Sequence, residues 1–499
     1  MEELFYNLGF RENPFSRFSA EEEMDYIDNI FSPPKYYQTI YSDIFAGTSR
    51  FILGGRGIGK SALMFKLKNQ LDSRACLTIL IDQYDNIPET ENEKQLLIEI
   101  LKKLVINYSI ILMKNPQKLK HLDKHDKERL ACFILLFFES LSATEYQTIY
   151  NKATRYQSKN ALKTLFNWVL LKPINITLSG VSEVISTTIA KSLGLPYQND
   201  ESSYKKFIPE LNIEKFEESG KDLMEIDYKR LKELLKDLSL IIRKTEFERV
   251  VIFFDKIDEY PKLKGNIKKI SEFLKPITQD TSLLQIQDIS FVFIIWDKVK
   301  AQLIGIRFDK FKPIDISWTD QELMEIINKR LKFFSKEQNI RLEDIVRNPI
   351  HLNKILRLSS KSPRDLIMLL SRIYEEQGII NSRVYCFSLE AIQKGIDSFI
   401  ENYDYHSVYQ GTIDARIESI DSIMDKMVKV GKKYFTNKDV AAVFKISPQK
   451  ATSLIVKMSN YGLIDKTKER QGQEKAYIIT DEKVIYRINK KNSKNRHVV

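Results

Sequence analysis

The sequence predicts an α/β fold: a parallel sheet with helices on both faces, then a helical region, then a small unit that closes on a hairpin. Three observations predict it. Apolar, β-branched runs recur at Phe51–Leu53, Leu77–Asp82, Arg249–Asp255, Ile289–Trp296 and Phe311–Ser317, with helical patterns between them. That is the pattern of buried strands alternating with crossover helices. The first run passes straight into Gly54-Gly55-Arg56-Gly57-Ile58-Gly59-Lys60-Ser61 and from there into the helical stretch Ala62–Leu67. Charge is concentrated at the other end. From Gly431 to Val499 sixteen Lys or Arg face six Asp or Glu, which places +10 of the chain's net +11 in that segment.

The 499 residues are too many for one core and predict roughly two to four domains. Cys76, Cys132 and Cys386 are scattered and fit neither a disulfide nor a zinc spacing, so a reducing, cytoplasmic setting is expected. The acidic start Met1-Glu2-Glu3-Leu4 lacks the basic and apolar parts of a secretory leader. The longest apolar runs, Phe133–Phe138 and Ile289–Trp296, are too short to cross a bilayer, and no membrane partner is expected.

In chain order, residues 1–46 form a lead-in with Asn13-Pro14-Phe15, an acidic helix near Glu21–Tyr26, and Phe31-Ser32-Pro33-Pro34. Residues 47–104 and 221–318 make the sheet core. Lys60 and Asp255 are 195 residues apart, more than a plain strand–helix alternation needs, so 105–220 are expected to be a helical insertion. Within it Ile174–Leu195 has only Glu183 and Lys191 charged, and buried packing is expected there. Leu231, Leu234, Leu235, Leu238, Ile241 and Ile242 share one face of a helix leading to the Asp255 strand. Residues 319–405 read as a helical lid, with Glu322–Phe334 and Pro363–Gln377 its best helices. In 412–490, Ile417–Val430, Thr436–Phe444 and Pro448–Tyr461 read as helices and Leu463–Lys468 and Lys475–Thr480 as a hairpin. That layout is a winged helix. Residues 491–499 read as a basic tail.

The glycine-rich stretch has the strand-before, helix-after context of a phosphate-binding loop. Its glycines allow a tight turn with N–H groups pointing inward, and the helix adds its positive end. Gly54, Gly55, Arg56, Gly57, Ile58, Gly59, Lys60, Ser61 and Ala62 are therefore the expected ATP cradle. Lys60 would reach the β- and γ-phosphates, and the Ser61 hydroxyl would sit on Mg²⁺. Asp255 ends an apolar strand and is the second expected Mg²⁺ ligand. Asp258 and Glu259 follow it, and either carboxylate can orient and deprotonate an attacking water, with Glu259 preferred.

Gly54–Ser61 together with Asp255-Lys256-Ile257-Asp258-Glu259 resembles the AAA+ and STAND branch of P-loop ATPases. The acidic block resembles that of NACHT-type ATPases, where a small residue stands at the position of Lys256. In origin-recognition-type initiators a Glu stands there. Ser362-Pro363-Arg364-Asp365 resembles the second sensor, which implies that Arg364 touches nucleotide from the lid. Arg307 stands where many AAA+ proteins carry an arginine finger for a neighbouring subunit, which implies a homo-oligomer. Asp297, after Trp296, stands at the first sensor. The order of core, lid and winged helix is similar to archaeal origin-binding ATPases and to bacterial P-loop ATPases of mobile-element and phage-defence settings.

The resemblance implies a DNA-associated ATPase switch that uses ATP and Mg²⁺. DNA is expected at 431–499, with Gln449, Lys450, Thr452, Ser453 and Lys457 on a recognition helix and Lys466, Lys468, Arg470 and Lys475 in the wing. Two other readings stand beside it. One is a STAND-like signalling scaffold whose 105–220 insertion binds a protein partner. The other is a DNA-binding regulator that holds ATP without hydrolysing it.

Overall fold

Strands that are apolar on both faces need cover on both, and the main sheet is built from such strands. The computed structural model describes residues 3–139, 223, 226–263, 265–337, 339–409, 419–460, 462–471 and 474–496. Its sheet comprises β1 (Arg50–Gly54), β2 (Cys76–Ile81), β3 (Arg249–Phe254), β4 (Ile289–Trp296) and β5 (Pro313–Asp315). All are parallel, in the order β2-β3-β4-β1-β5. Side chains alternate across it as strand geometry requires. Phe51, Leu53, Val250, Ile252 and Phe254 point into one cluster, and Ile52, Val251 and Phe253 into the other. Phe293 is stacked between Phe51 at 4.9 Å and Phe254 at 4.8 Å, locking β1, β3 and β4 in register.

The helices divide between the faces. On the first lie α3 (Glu93–Lys114), α4 (Lys124–Glu139), α5 (Tyr228–Lys244) and α6 (Ile267–Gln279). All six of the predicted apolar residues of α5 are buried there, and Asp227 caps the helix by accepting from the Lys229 amide. On the second face lie α1 (Tyr37–Phe45), α2 (Lys60–Asp72) and the helices of the expected lid, α7 (Asp320–Phe334), α8 (Pro349–Leu358), α9 (Pro363–Ile380) and α10 (Leu389–Glu401). The lead-in is part of this layer. Phe10, Phe15 and Ile27 are buried in the same cluster, and the buried Arg330 of α7 pairs with Glu23 at 2.5 Å.

Three details differ from the sequence reading. The fifth strand is only Pro313–Asp315, an edge strand paired to β1 alone, because Pro313 has no N–H to extend a ladder. Residues 105–139 continue the sheet's own core, with Leu112, Leu130, Phe133 and Phe137 buried in the first cluster. The rest of the expected insertion, including Ile174–Leu195, lies outside the described residues. Third, a helix that the sequence pattern does not announce closes the chain: α14 (Glu482–Arg496). Lys, Arg and Asn dominate it, and its apolar stripe is short, consisting of Val484, Ile485 and Ile488.

That stripe belongs to the C-terminal unit: α11 (Ile420–Val430), β6 (Tyr434–Thr436), α12 (Asn437–Phe444), α13 (Pro448–Asn460), β7 (Ile464–Gln471), β8 (Glu474–Ile479) and α14. Its strands are antiparallel in the order β6-β8-β7, and Ile423, Met427, Val440, Leu454, Ile455 and Met458 form its core. Thr436 accepts from the Asp439 amide in a capping box that starts α12. Among the described residues no helix is long and apolar enough to cross a membrane.

Candidate active site

β1 lies between β4 and the edge strand β5, and its C-terminal end opens into the glycine-rich loop. In an open parallel sheet this is the edge where ligands bind. Gly57 and Gly59 stand at φ 76° and 91°, left-handed values that only glycine adopts without strain. At Gly57 space is short as well, since a Cβ there would lie 2.7 Å from Ser362 Oγ. Gly57→Ala is therefore expected to push the lid off the loop, read as a loss of thermal stability of order 1–3 kcal/mol.

The loop's carbonyls already have donors, from Lys60 within it and from residues outside it. Lys60 Nζ donates to Gly54 O and Gly55 O, both at 2.8 Å. The Gly57 oxygen accepts from Ser362 Oγ at 3.2 Å and from the Arg364 amide at 3.3 Å. The Trp318 indole donates to Ile58 O at 2.8 Å. The amides have no such partners: among the described residues no hydrogen bond leaves the backbone N–H groups of Gly57 through Ala62. Gly59 offers no side chain to cap α2. Six unsatisfied donors in one turn, at the positive end of a helix, form an anion-binding nest.

The carboxylates come from β3. Asp255 directly follows the strand and is buried, and its Oδ2 accepts from Ser61 Oγ at 2.9 Å, joining residues 194 apart in the chain. Its Oδ1 accepts from the Lys256 amide at 2.9 Å. Burial pushes the Asp255 carboxyl up to about 6, against the lowering effect of those two donors and of Lys60. Burial likewise lowers the Lys60 ammonium, while Asp258, Asp255 and Asp297 pull it back up. A hard carboxylate and a hydroxyl side by side, with a cation beneath an amide nest, suit a divalent cation carrying phosphate oxygens.

The two candidate bases are placed differently. Asp258 is clamped: Arg56 Nε donates to its Oδ2 at 2.9 Å, and the Arg56 guanidinium lies 5.0 Å over the Trp296 ring. Glu259 is exposed at the end of the short helical turn Ile257–Glu259, and its carboxylate makes no hydrogen bond among the described residues. Lys256, at φ 59°, turns its ammonium to Glu21 of the lead-in at 2.6 Å. Asp297 follows β4, with its Oδ2 3.8 Å from where a Cβ of Gly55 would stand. Arg364 is exposed, with its Cβ 3.2 Å from where a Cβ of Gly57 would stand. Arg307 lies apart, half-exposed on the β4–β5 connection and bonded to Asp309 at 2.6 Å.

Sequence reasoning missed three contributors. Tyr84 is fully buried, its hydroxyl 2.8 Å from Ile81 O and 2.9 Å from Asp255 O, so it ties the ends of β2 and β3 together. Trp318 and Glu21 are the others. Trp318 and Glu21 act through contacts more than 200 residues away in the chain and Tyr84 through one 171 residues away, and no local pattern marks them.

Asp255→Asn tests the cost of the buried charge. The amide keeps the shape and one acceptor, so nucleotide-free thermal stability is expected to stay level or rise, by up to about 2 kcal/mol. The sign follows from the raised value. The folded chain holds this proton more tightly than the unfolded chain, so stability falls as pH climbs from the ordinary carboxylate range to about 6, and the amide variant loses that slope. A variant melting well below wild type at neutral pH would contradict it.

No protein-family model matches the chain, and no curated protein matches it. Among solved structures, two single-substitution variants of Thermotoga maritima RuvB are similar to it, each at 16% identity and with 51% of this chain and 82% of that chain covered. Their TM-scores are 0.25 and 0.24, too low to bear on function.

Proposed function

We propose that the chain binds ATP with Mg²⁺ and hydrolyses it, and that this cycle repositions the lid and the C-terminal unit on duplex DNA. One observation carries the reading: the 2.9 Å contact between Ser61 and the buried Asp255, set beside an amide nest with no acceptor of its own. The nest amides and Lys60 would hold the phosphates, and Ser61 and Asp255 the cation. When bound, Mg²⁺ supplies charge neutralisation at the phosphate oxygens. Glu259 would orient and deprotonate the attacking water. Asp258 is the weaker candidate because Arg56 already holds it. Arg364 would report nucleotide to the lid, and Arg307 would serve a neighbouring copy in a homo-oligomer.

The C-terminal unit runs helix, strand, two helices and a hairpin, an order that supports a winged-helix reading. Gln449, Lys450, Thr452 and Ser453 are exposed on α13, whereas Leu454, Ile455 and Met458 are buried behind them. We read α13 as the DNA-facing helix. Lys450→Glu combined with Lys466→Glu is expected to weaken duplex binding at least tenfold and to lower its salt slope by roughly 2. Unchanged affinity and slope would move the DNA contact elsewhere.

ATP turnover of the full chain with and without duplex DNA tests the whole reading. Stimulation by DNA is expected. Turnover that DNA leaves unmoved but a protein partner raises would favour the signalling scaffold, and ATP binding without turnover the non-hydrolysing regulator.

A further inference from the structure

Lys483 belongs to α14 of the C-terminal unit, yet it is only 1% exposed. Its ammonium reaches into the lid, 3.1 Å from Asp365 Oδ2 and 2.9 Å from Ser360 Oγ, and lies 4.3 Å over the Tyr403 ring. The Tyr403 hydroxyl donates to the same Asp365 oxygen at 2.7 Å. A buried charge persists only with such compensation. Around it α14 lies along the lid: Lys490 pairs with Asp397 at 2.8 Å, the Tyr486 hydroxyl donates to Asp397 at 2.7 Å, and Glu482 pairs with Arg357 at 2.7 Å.

The segment that Lys483 grips is the turn that opens α9. Ser360 and Lys361 both stand at positive φ, 51° and 61°, a left-handed pair built without glycine. Strain of this kind survives where the surroundings over-determine it. The next residues are the ones that touch the nucleotide loop: Ser362 Oγ and the Arg364 amide both donate to Gly57 O. One side of a six-residue turn is thus fixed by the C-terminal helix and the other seats on the phosphate loop.

We propose that Lys483 is a positioning residue for the nucleotide site. By holding Ser360 and Asp365 it sets the strained turn that brings Ser362 and Arg364 to Gly57. The placement of the C-terminal unit is thereby tied to nucleotide affinity. The inference rests on the nucleotide reading above and adds to it the route by which the two ends of the chain communicate.

The test is a double-mutant cycle on the full chain, read as equilibrium binding of a fluorescent ATP analogue with Mg²⁺. Lys483→Met and Arg364→Ala are each expected to weaken binding about fivefold or more, and the double variant no further than Arg364→Ala alone, because both act through one turn. Duplex DNA and ATP must affect each other reciprocally in the wild type if they are coupled, and Lys483→Met is expected to reduce that effect to less than about twofold. A Lys483→Met variant that binds the analogue like wild type, or whose loss adds in full to that of Arg364→Ala, overturns the proposal. A wild-type chain that binds no analogue would instead sink the nucleotide reading. Should Lys483→Met fail to fold by circular dichroism, Tyr403→Phe carries the test. It removes one donor from Asp365 and leaves the charge pair, and a loss of about twofold, absent in the Arg364→Ala background, is expected. Unchanged affinity there overturns the proposal equally.

Discussion

Glu259→Gln is expected to lower ATP turnover at least about a hundredfold while leaving ATP affinity within roughly threefold of wild type. The reason is the difference between the two carboxylates after β3. Glu259 is exposed and its carboxylate makes no hydrogen bond among the described residues, so its loss removes a base and disturbs no packing. Asp258 is half of a partly buried ion pair with Arg56, whose guanidinium also covers Trp296. Asp258→Asn should therefore act on stability first, and on turnover by less than tenfold. Single-turnover hydrolysis and thermal melting, measured on both variants, check the assignment. If Glu259→Gln hydrolysed normally and Asp258→Asn did not, the roles would be reversed.

Lys60→Ala is expected to weaken ATP binding by about two orders of magnitude or more, since it removes the one ammonium that the loop holds among its carbonyls. Nucleotide-free stability should change little, because burying that ammonium is itself unfavourable. Melting with and without Mg²⁺ and ATP separates the two effects. The wild-type midpoint should rise with nucleotide and that of the variant should not. A Lys60→Ala chain stabilised by ATP as wild type is would remove the loop from the account. Lys60→Arg is not a conservative rescue, since the planar fork cannot reproduce a compact ammonium on two adjacent carbonyls.

The parts of this molecule legible in its sequence are those set by short-range chemistry. Gly54–Ser61 announces itself because glycine is needed where φ is positive and where Ser362 leaves no room for a Cβ. Four of the five strands could be read because burial on both faces makes them apolar at nearly every position. The fifth is an edge strand of three residues and was overestimated for want of that signal. Asp255 could be chosen from its place at a strand end, but the sequence could not show that Arg56 would claim Asp258.

What stayed hidden is long-range. α14 lacks a conspicuous apolar stripe because its lid-facing side is polar, made of Lys483, Tyr486 and Lys490 bonded to lid carboxylates, so periodicity has little to detect. Glu21, Tyr84 and Trp318 reach the site from other elements, and each is an ordinary residue until the chain folds. The positive charge near the C-terminus was visible as a sum. Part of it turns inward, since Lys483 is buried against the lid and Lys490 pairs with Asp397 and Glu401.

Calorimetric titration of ATP into the full chain, with Mg²⁺ and with the metal chelated, tests the central claim most directly when wild type and Asp255→Asn are run side by side. Wild type is expected to bind at least tenfold more tightly with Mg²⁺ than without it, and Asp255→Asn to lose that difference. Magnesium-dependent binding of equal strength in both chains, or no binding by wild type, would contradict it.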